Sequence, residues 1–218
     1  MAIIYEIHPE TPQQRSIEQI ADALKDGAVM LYPTDTVYAI GCDINVKSAI
    51  QRVRQIKQLS NNKPLTFLCH SLSNIASYAI VSDPAYRIIK RLIPGPYTFL
   101  LPATKLVPRL VMDPKRKTTG IRVPDNQFCL ALLQALGYPI ISTSAHITSD
   151  AEGMAPVKAD SFAGIAELFD CLEGLVDVIV DDGSEPGDRV STIVNLTEWE
   201  PTVVREGLGF EKVATLLD

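Results

Sequence analysis

Residues 32–41, with the sequence YPTDTVYAIG, follow the short apolar run Ala28–Leu31. A second hydroxyl-rich turn, STSAH at residues 142–146, follows the apolar pair Ile140–Ile141. Open α/β sheets bind ligands beyond the carboxyl ends of their strands, where such turns lie. Hydroxyls and turn amides suit phosphate and carboxylate oxygens, and neither turn has the glycine-rich pattern of a P-loop. The two turns therefore predict a site for a small anionic ligand, although such clusters are more often simple caps and turns.

The length and composition indicate one soluble, globular domain. At 218 residues the chain is long enough to bury one sizeable core, so we expect a single domain over residues 1–218. Its composition, 46% hydrophobic and 21% charged, is ordinary for such a protein. We see no apolar run long enough to cross a bilayer and no secretory signal at the N-terminus. Four widely spaced cysteines without a CxxC pair favour reduced thiols in a cytoplasmic protein.

The charge balance bears on nucleic-acid binding. A formal net charge of −6 argues against a protein coated in basic surface. It leaves a local basic groove open, because the cations form two groups in the sequence. These groups are Arg52, Arg54, Lys57 and Lys63, and the run Lys115, Arg116 and Lys117.

Helix and strand signals alternate along the chain. Thr11-Pro12 and Asp83-Pro84 are typical helix starts, and residues 126–136 are predicted to form a helix that Gly137 ends. Short apolar segments predict strands at residues 28–31, 65–69, 97–101, 119–123, 178–181, 191–195 and 202–205. Strands separated by helices favour an α/β fold, and the close spacing of the last strands favours antiparallel pairs. We therefore expect a mixed sheet with helices.

Six further segments occur, with YPTDTVYAIG, in the order found in one known family. They are Lys57 with Pro64-Leu65, PGPYT at 94–98, GIRVP at 120–124, STSA at 142–145, STIV at 191–194 and VREG at 204–207. Over about residues 15–207 the chain resembles the YrdC-type domain family. The resemblance implies the YrdC/RibB-like fold, a single twisted sheet of parallel and antiparallel strands with helices mainly on one side and a concave ligand-binding face. Some members of the family carry a second domain after a linker, whereas this chain stops at Asp218, so we expect no additional C-terminal domain.

The resemblance implies a nucleotidyltransferase reaction. Members of the family join L-threonine, bicarbonate and ATP into threonylcarbamoyl-AMP and release pyrophosphate, a step of tRNA threonylcarbamoyladenosine modification. Two anions must meet in such a site, so it needs fixed cations and oriented donors. The expected metal is Mg²⁺ carried with ATP, without a metal site made by the protein and without a tightly bound cofactor.

The resemblance also assigns residues. L-threonine is expected at Thr34, Arg122 and Ser142, with the Arg122 guanidinium fork on the carboxylate. Lys57 is expected to be the catalytic cation and a contact of the ATP phosphates. Further nucleotide contacts are expected at Thr118, Ser144, His146 and Arg205. Each residue also has a simpler structural reading: a lysine at a helix end, turn or cap hydroxyls, a surface ion pair, or an exposed arginine at a strand end.

Two positions depart from the family pattern, and through them the chain resembles the YciO-like branch of the family. Leu59 stands where the family's Lys-x-Arg has arginine, and His146 stands where its Ser-x-Asn has asparagine. Leucine neither donates a hydrogen bond nor carries charge, so the departures bear on activity rather than on fold. The alternative function is a non-catalytic protein of the same fold that binds a nucleotide, double-stranded RNA or tRNA.

Overall fold

The computed structural model describes residues 1–59, 64–145 and 164–217. Within this part of the chain ten strands form one sheet: β1 Ile3–Glu6, β2 Val29–Tyr32, β3 Ala39–Asp43, β4 Thr66–Leu68, β5 Tyr97–Pro102, β6 Thr118–Arg122, β7 Ile140–Ser144, β8 Val178–Asp181, β9 Thr192–Asn195 and β10 Thr202–Arg205. The helices are α1 Gln14–Lys25, α2 Lys47–Ile56, α3 Leu72–Tyr78, α4 Asp83–Leu92, α5 Gln127–Leu136, α6 Ile165–Leu172 and α7 Phe210–Leu217.

The sheet is mixed, as expected. Its strand order is β1-β8-β2-β3-β7-β4-β6-β5-β9-β10. β2 runs parallel to β8 and antiparallel to β3, while β4 runs antiparallel to β7 and parallel to β6. The last two strands form the expected antiparallel pair. This order brings strands from distant parts of the chain side by side at the centre of the sheet.

Alternating side chains divide the sheet into two faces. One face packs under α2, α3, α4, α6 and α7 through residues such as Leu31, Phe67 and Ile121. On the other face, α1 and α5 cover side chains such as Tyr32 and Leu68. The helices thus lie mainly on one side in the described residues, as the resemblance implies. The strands that α1 and α5 leave uncovered carry the polar side chains.

Local signals placed most elements, with differences at their ends. α5 follows Asn126, whose side chain accepts from Cys129 N at 3.0 Å, and Gly137 ends it with φ 77°. α1 begins at Gln14 rather than after Thr11, because the Thr11 hydroxyl instead hydrogen-bonds the His8 ring at 3.1 Å. β1 and β3 were not predicted. β3 follows so closely on the first turn that its apolar residues read as part of that turn. No helix in the described ranges is long and apolar enough to span a membrane.

Candidate functional site

A cavity of about 150 Å³ lies on the face that α1 and α5 share. A cavity of this size has room for a small ligand such as an amino acid. Among the described residues, its lining includes two arginines, Arg122 and Arg205, and no carboxylate. It also includes many hydroxyls, from Thr34, Thr36, Thr66, Thr98, Ser142, Thr143, Ser144 and Ser191. The cavity is therefore suited to an anion that accepts hydrogen bonds.

Five of the residues assigned from the sequence line this one cavity: Thr34, Arg122, Ser142, Ser144 and Arg205. They come from the first turn and from β6, β7 and β10. β4 lies between β6 and β7, and its Thr66 pairs with both Gly120 and Ser142. That register places β6, which carries Arg122, and β7, which carries Ser142 and Ser144, in the same wall of the cavity.

Thr34 shapes the first turn and also lines the cavity. Its Oγ1 donates to the Val37 carbonyl at 2.7 Å and accepts from Thr36 N at 3.1 Å. Its hydroxyl therefore makes the local turn contacts of the simpler reading, while the residue also borders the cavity.

Tyr32, Gly41 and Ser142 join the first turn to β7. The Tyr32 hydroxyl donates to Ser142 Oγ at 2.7 Å, and its ring passes over Gly41. A Cβ on Gly41 would lie 2.8 Å from the ring and 2.5 Å from the Ile141 carbonyl oxygen, so only glycine fits between the strands. Burial raises the pKa of Tyr32, which keeps this hydroxyl protonated as a donor.

Arg122 is fixed by three partners. Its Nη2 donates to Asp35 Oδ1 at 2.5 Å, its Nη1 to Thr36 Oγ1 at 2.8 Å and its Nε to the Gly95 carbonyl at 3.3 Å. The side chains of Arg122 and Asp35 are only 8% and 11% exposed. A guanidinium has five N–H donors. These bonds use one on each nitrogen, which leaves one N–H on Nη1 and one on Nη2 without a partner among the described residues.

Arg205 lies at the rim of the cavity, on the far side from the first turn. Its Nη2 donates to the Ser191 carbonyl at 2.7 Å and to Ser191 Oγ at 3.1 Å. Ser191 Oγ also hydrogen-bonds Thr98 Oγ1 at 2.9 Å. Burial, with a smaller effect from the positive charge of Arg122, lowers the pKa of Arg205. Both guanidinium groups thus belong to the lining of the same cavity.

Lys57 does not line the cavity but is tied to its wall. It is the C-cap residue of α2, largely buried, and its Nζ donates to the Ser144 carbonyl at 2.8 Å. Lys57 thus holds the end of β7, from which Ser144 borders the cavity.

Thr118 is also outside the cavity lining. Because Thr66 pairs with both Ser142 and Gly120, Thr118 and Ser144 fall in one row of the sheet and on the same face. Two of the nucleotide contacts expected from the sequence, Thr118 and Ser144, thus lie in one row of the sheet. His146, assigned to the same group, lies outside the described residues.

Leu59 is directed away from the cavity. After Lys57, Gln58 adopts a left-handed φ of 49°, and Leu59 N donates to the Arg54 carbonyl at 2.9 Å. This is a Schellman ending, in which the residue at the position of Leu59 makes an apolar contact with the helix. Leu59 packs against the core and borders a separate groove with Arg54 and Leu110.

Sequence reasoning assigned no role to four residues of the site. Asp35 and Thr36 hold Arg122 from within the quoted first turn, so their position in that motif was an available signal. Thr98 and Ser191 also belong to quoted motifs. Their pairing depends on the parallel register of β5 and β9, which the sequence did not reveal.

The comparisons with known proteins agree with the fold and the motifs. Residues 22–207 match the model of the Sua5/YciO/YrdC family, which carries the description "Telomere recombination". YciO of Escherichia coli K12 is 42% identical over 209 residues, covering 96% of this chain and 97% of that protein. The crystal structure of E. coli YciO superposes with a TM-score of 0.84, at 41% identity and with 96% and 97% coverage.

A more distant relative is a threonylcarbamoyl-AMP synthase from Pyrococcus abyssi, 29% identical over 208 residues. That alignment covers 95% of this chain and 58% of the archaeal protein. The structure of P. abyssi Sua5 complexed with L-threonine has a TM-score of 0.85 at 27% identity, covering 99% of this chain and 61% of Sua5. The family match spans most of the chain, and YciO aligns with it nearly end to end, so this protein belongs to the Sua5/YciO/YrdC family.

Proposed function

We propose that this protein binds L-threonine in the hydroxyl-lined cavity and joins it with bicarbonate and ATP to form threonylcarbamoyl-AMP. The observation that carries the proposal is that Arg122, which lines a cavity of about 150 Å³, keeps two N–H donors without a partner among the described residues. Two such donors match the two oxygens of a carboxylate. The L-threonine in the Sua5 complex and the synthase names of distant relatives point to the same substrate class.

The reaction has two steps, and each needs particular contacts. The amine of L-threonine and bicarbonate form a carbamate and release water. A carbamate oxygen then forms a bond to the α-phosphorus of ATP, and the bond to pyrophosphate breaks. Arg122 would hold the carboxylate away from the reacting amine, while Arg205 at the rim would offset the charge of the approaching nucleotide.

ATP would lie mostly outside the cavity, along the row that contains Ser144 and Thr118. Lys57, bound to the Ser144 carbonyl, is the nearest assigned cation to that row. Because no carboxylate appears in the described lining, Mg²⁺ would arrive as the partner of the triphosphate.

Pyrophosphate release from Mg²⁺-ATP tests the proposal, measured with and without L-threonine and bicarbonate. We expect release only when both co-substrates are present. Arg122→Lys keeps the charge but loses the planar fork, so the KM for L-threonine should rise about tenfold or more. Arg52→Lys is the matched control, because Arg52 pairs with Asp177 near the start of β8, away from the cavity. Release that is absent, or that ignores L-threonine, would refute the synthase function.

The alternative is a non-catalytic protein that binds a nucleotide, tRNA or double-stranded RNA. The group of cations between residues 52 and 63 gives this alternative little support. Arg52 pairs with Asp177, Arg54 and Lys57 are buried, and Lys63 lies outside the described residues. The exposed run Lys115, Arg116 and Lys117 favours this function. It would be supported by tRNA binding that weakens steeply with salt and is lost when all three are changed to glutamine.

A further inference from the structure

We propose that Asp35 is a positioning residue that makes the Arg122 subsite select a carboxylate over a phosphate. This inference rests on the proposed function, because it concerns the amino-acid end of the same cavity. Asp35 itself does not line the cavity, whereas Arg122 does. Asp35 acts on the ligand only through the guanidinium group that it holds.

The guanidinium group of Arg122 is held in place by its neighbours. Arg122 Nη2 meets Asp35 Oδ1 at 2.5 Å, and both side chains are nearly buried. With Thr36 on Nη1 and Gly95 on Nε, the guanidinium plane has a partner on each nitrogen. The two remaining N–H donors, one on Nη1 and one on Nη2, are therefore fixed in the guanidinium plane before any ligand arrives. Such preorganised donors lose little freedom when a flat, bidentate carboxylate binds.

Asp35 also changes the net charge at the Arg122 end of the cavity. Two arginines line the cavity, and no carboxylate in the described lining balances them. Asp35, lying behind Arg122, neutralises that guanidinium, so the net positive charge of the pair is close to zero. A carboxylate still gains two good hydrogen bonds there. A phosphate dianion, which depends more on net charge than on a planar fork, gains much less.

A site that binds an amino acid beside a triphosphate needs this distinction. Without it, phosphate oxygens would compete for the Arg122 subsite, and the carboxylate would be displaced. Arg205, for which the described residues show no carboxylate partner, remains fully charged at the rim, where the nucleotide would approach. The two arginines thus differ in net charge because only one of them has an aspartate behind it.

The second oxygen of Asp35 supports a role other than simple stability. Oδ2 is buried and has no hydrogen-bond partner among the described residues. A buried carboxylate with an unsatisfied oxygen is costly, and replacing an ion pair by apolar residues is often neutral or stabilising. A residue retained for folding alone would gain little from this arrangement. Its single strong contact is to the ligand-facing arginine.

Calorimetry with two probes tests the inference: L-threonine, and inorganic phosphate at pH 8, where phosphate is mostly a dianion. The measured quantity is the ratio of the phosphate Kd to the L-threonine Kd. In Asp35→Asn we expect this ratio to fall by about tenfold, because Arg122 loses the carboxylate that orients its guanidinium group and neutralises its positive charge. Asp177→Asn is the matched control. It breaks the Arg52 ion pair, also 2.5 Å long, near the start of β8, and should leave the ratio unchanged.

The outcomes separate the possible roles. If both affinities of Asp35→Asn fall by the same factor, or neither changes, Asp35 is structural and the inference is overturned. If wild-type protein does not bind L-threonine, the proposed function fails, and tighter phosphate binding by Asp35→Asn would still support the charge role. Should Asp35→Asn not fold, the double variant Asp35→Asn/Arg122→Gln removes a pair of zero net charge. It should bind phosphate as wild type does, and a loss of more than about tenfold would overturn the inference.

Discussion

Lys57 and Ser144 are joined by a hydrogen bond of 2.8 Å from the lysine Nζ to the serine carbonyl oxygen. The end of α2 is thereby connected to the end of β7, although 87 residues separate the two in sequence. Lys57 is the lysine expected to contact ATP, and Ser144 borders the cavity. The same lysine is thus placed to hold the site together and to present a cation beside it.

Lys57→Ala should reduce pyrophosphate release by about ten- to a hundredfold, because both a cation and a contact of the cavity wall are lost. The release assay in Mg²⁺-ATP, L-threonine and bicarbonate measures this. Lys25→Ala is the control, since Lys25 pairs with Asp22 on the exposed side of α1. Unchanged release in Lys57→Ala would mean that this lysine is only a helix cap.

Gly187→Ala should weaken L-threonine binding about tenfold or more. A Cβ on Gly187 would overlap the carbonyl oxygen of Thr36, and that neighbour is rigid backbone in the turn that holds Arg122. The turn must move, and Arg122 loses its alignment. Gly174→Ala is the control, because its Cβ would meet nothing within 4 Å. Calorimetry on both variants measures the difference, and equal affinities would contradict it.

Leu59→Arg should lower the free energy of unfolding by about 1–2 kcal/mol and should not raise pyrophosphate release. From the sequence alone, restoring the family's arginine would be expected to improve the enzyme. In the structure the side chain packs beside Leu110, away from the cavity. Urea unfolding and the release assay test the two parts separately. A clear gain of release would show that an arginine at this position reaches the nucleotide.

Gln58→Gly should stabilise the protein by about 0.5–1 kcal/mol. Gln58 has a φ of 49°, a left-handed conformation that costs a residue with a Cβ more than it costs glycine. Gln55→Gly, one turn earlier in α2, should destabilise by a similar amount. Urea unfolding should move the two midpoints in opposite directions. Movement in the same direction would contradict the backbone argument.

Alkaline pH should destabilise the protein partly through Tyr138. Burial and the nearby Asp43, which accepts from the phenol at 2.5 Å, raise the pKa of Tyr138 to about 12. A raised folded-state pKa gives stability that is complete below about pH 10 and is lost as pH rises towards 12. Between pH 9 and 11 the wild type should lose more stability than Tyr138→Phe, by less than about 1 kcal/mol because the phenol is partly exposed and solvent screens its interaction with Asp43. Equal losses in urea unfolding would show that Tyr138 does not contribute.

The side-chain direction of Leu59 is a feature that the sequence did not predict. The chain position of Leu59 matches a phosphate-binding arginine, yet the direction of its side chain depends on the backbone turn at Gln58. This turn requires Gln58, a residue with a Cβ, to adopt a left-handed conformation, and nothing in the local sequence predicts that. A position in a motif therefore predicted the residue type expected there, but not where this residue points.

Local chemistry made the sequence informative about the turns and most helices and strands. Local signals such as alternating apolar residues, the cap at Asn126 and the glycine at 137 act over a few residues. They can therefore be recognised from the sequence alone. The order of motifs also predicted the family and the group of residues around the cavity. These features could be predicted because they depend on residues close in sequence or on a known order of family motifs.

Only the tertiary structure decided how those residues meet. The sequence predicted a ligand site that includes Arg122 and the YPTDT turn, whereas the ion pair between Arg122 and Asp35, 87 residues apart, required the folded sheet. Tyr32 likewise reaches Ser142 only because β3 lies between their strands and has glycine at position 41. Such contacts are set by hydrogen-bond register between distant strands. No short-range pattern encodes that register, because it depends on how all ten strands of the described sheet pack at once.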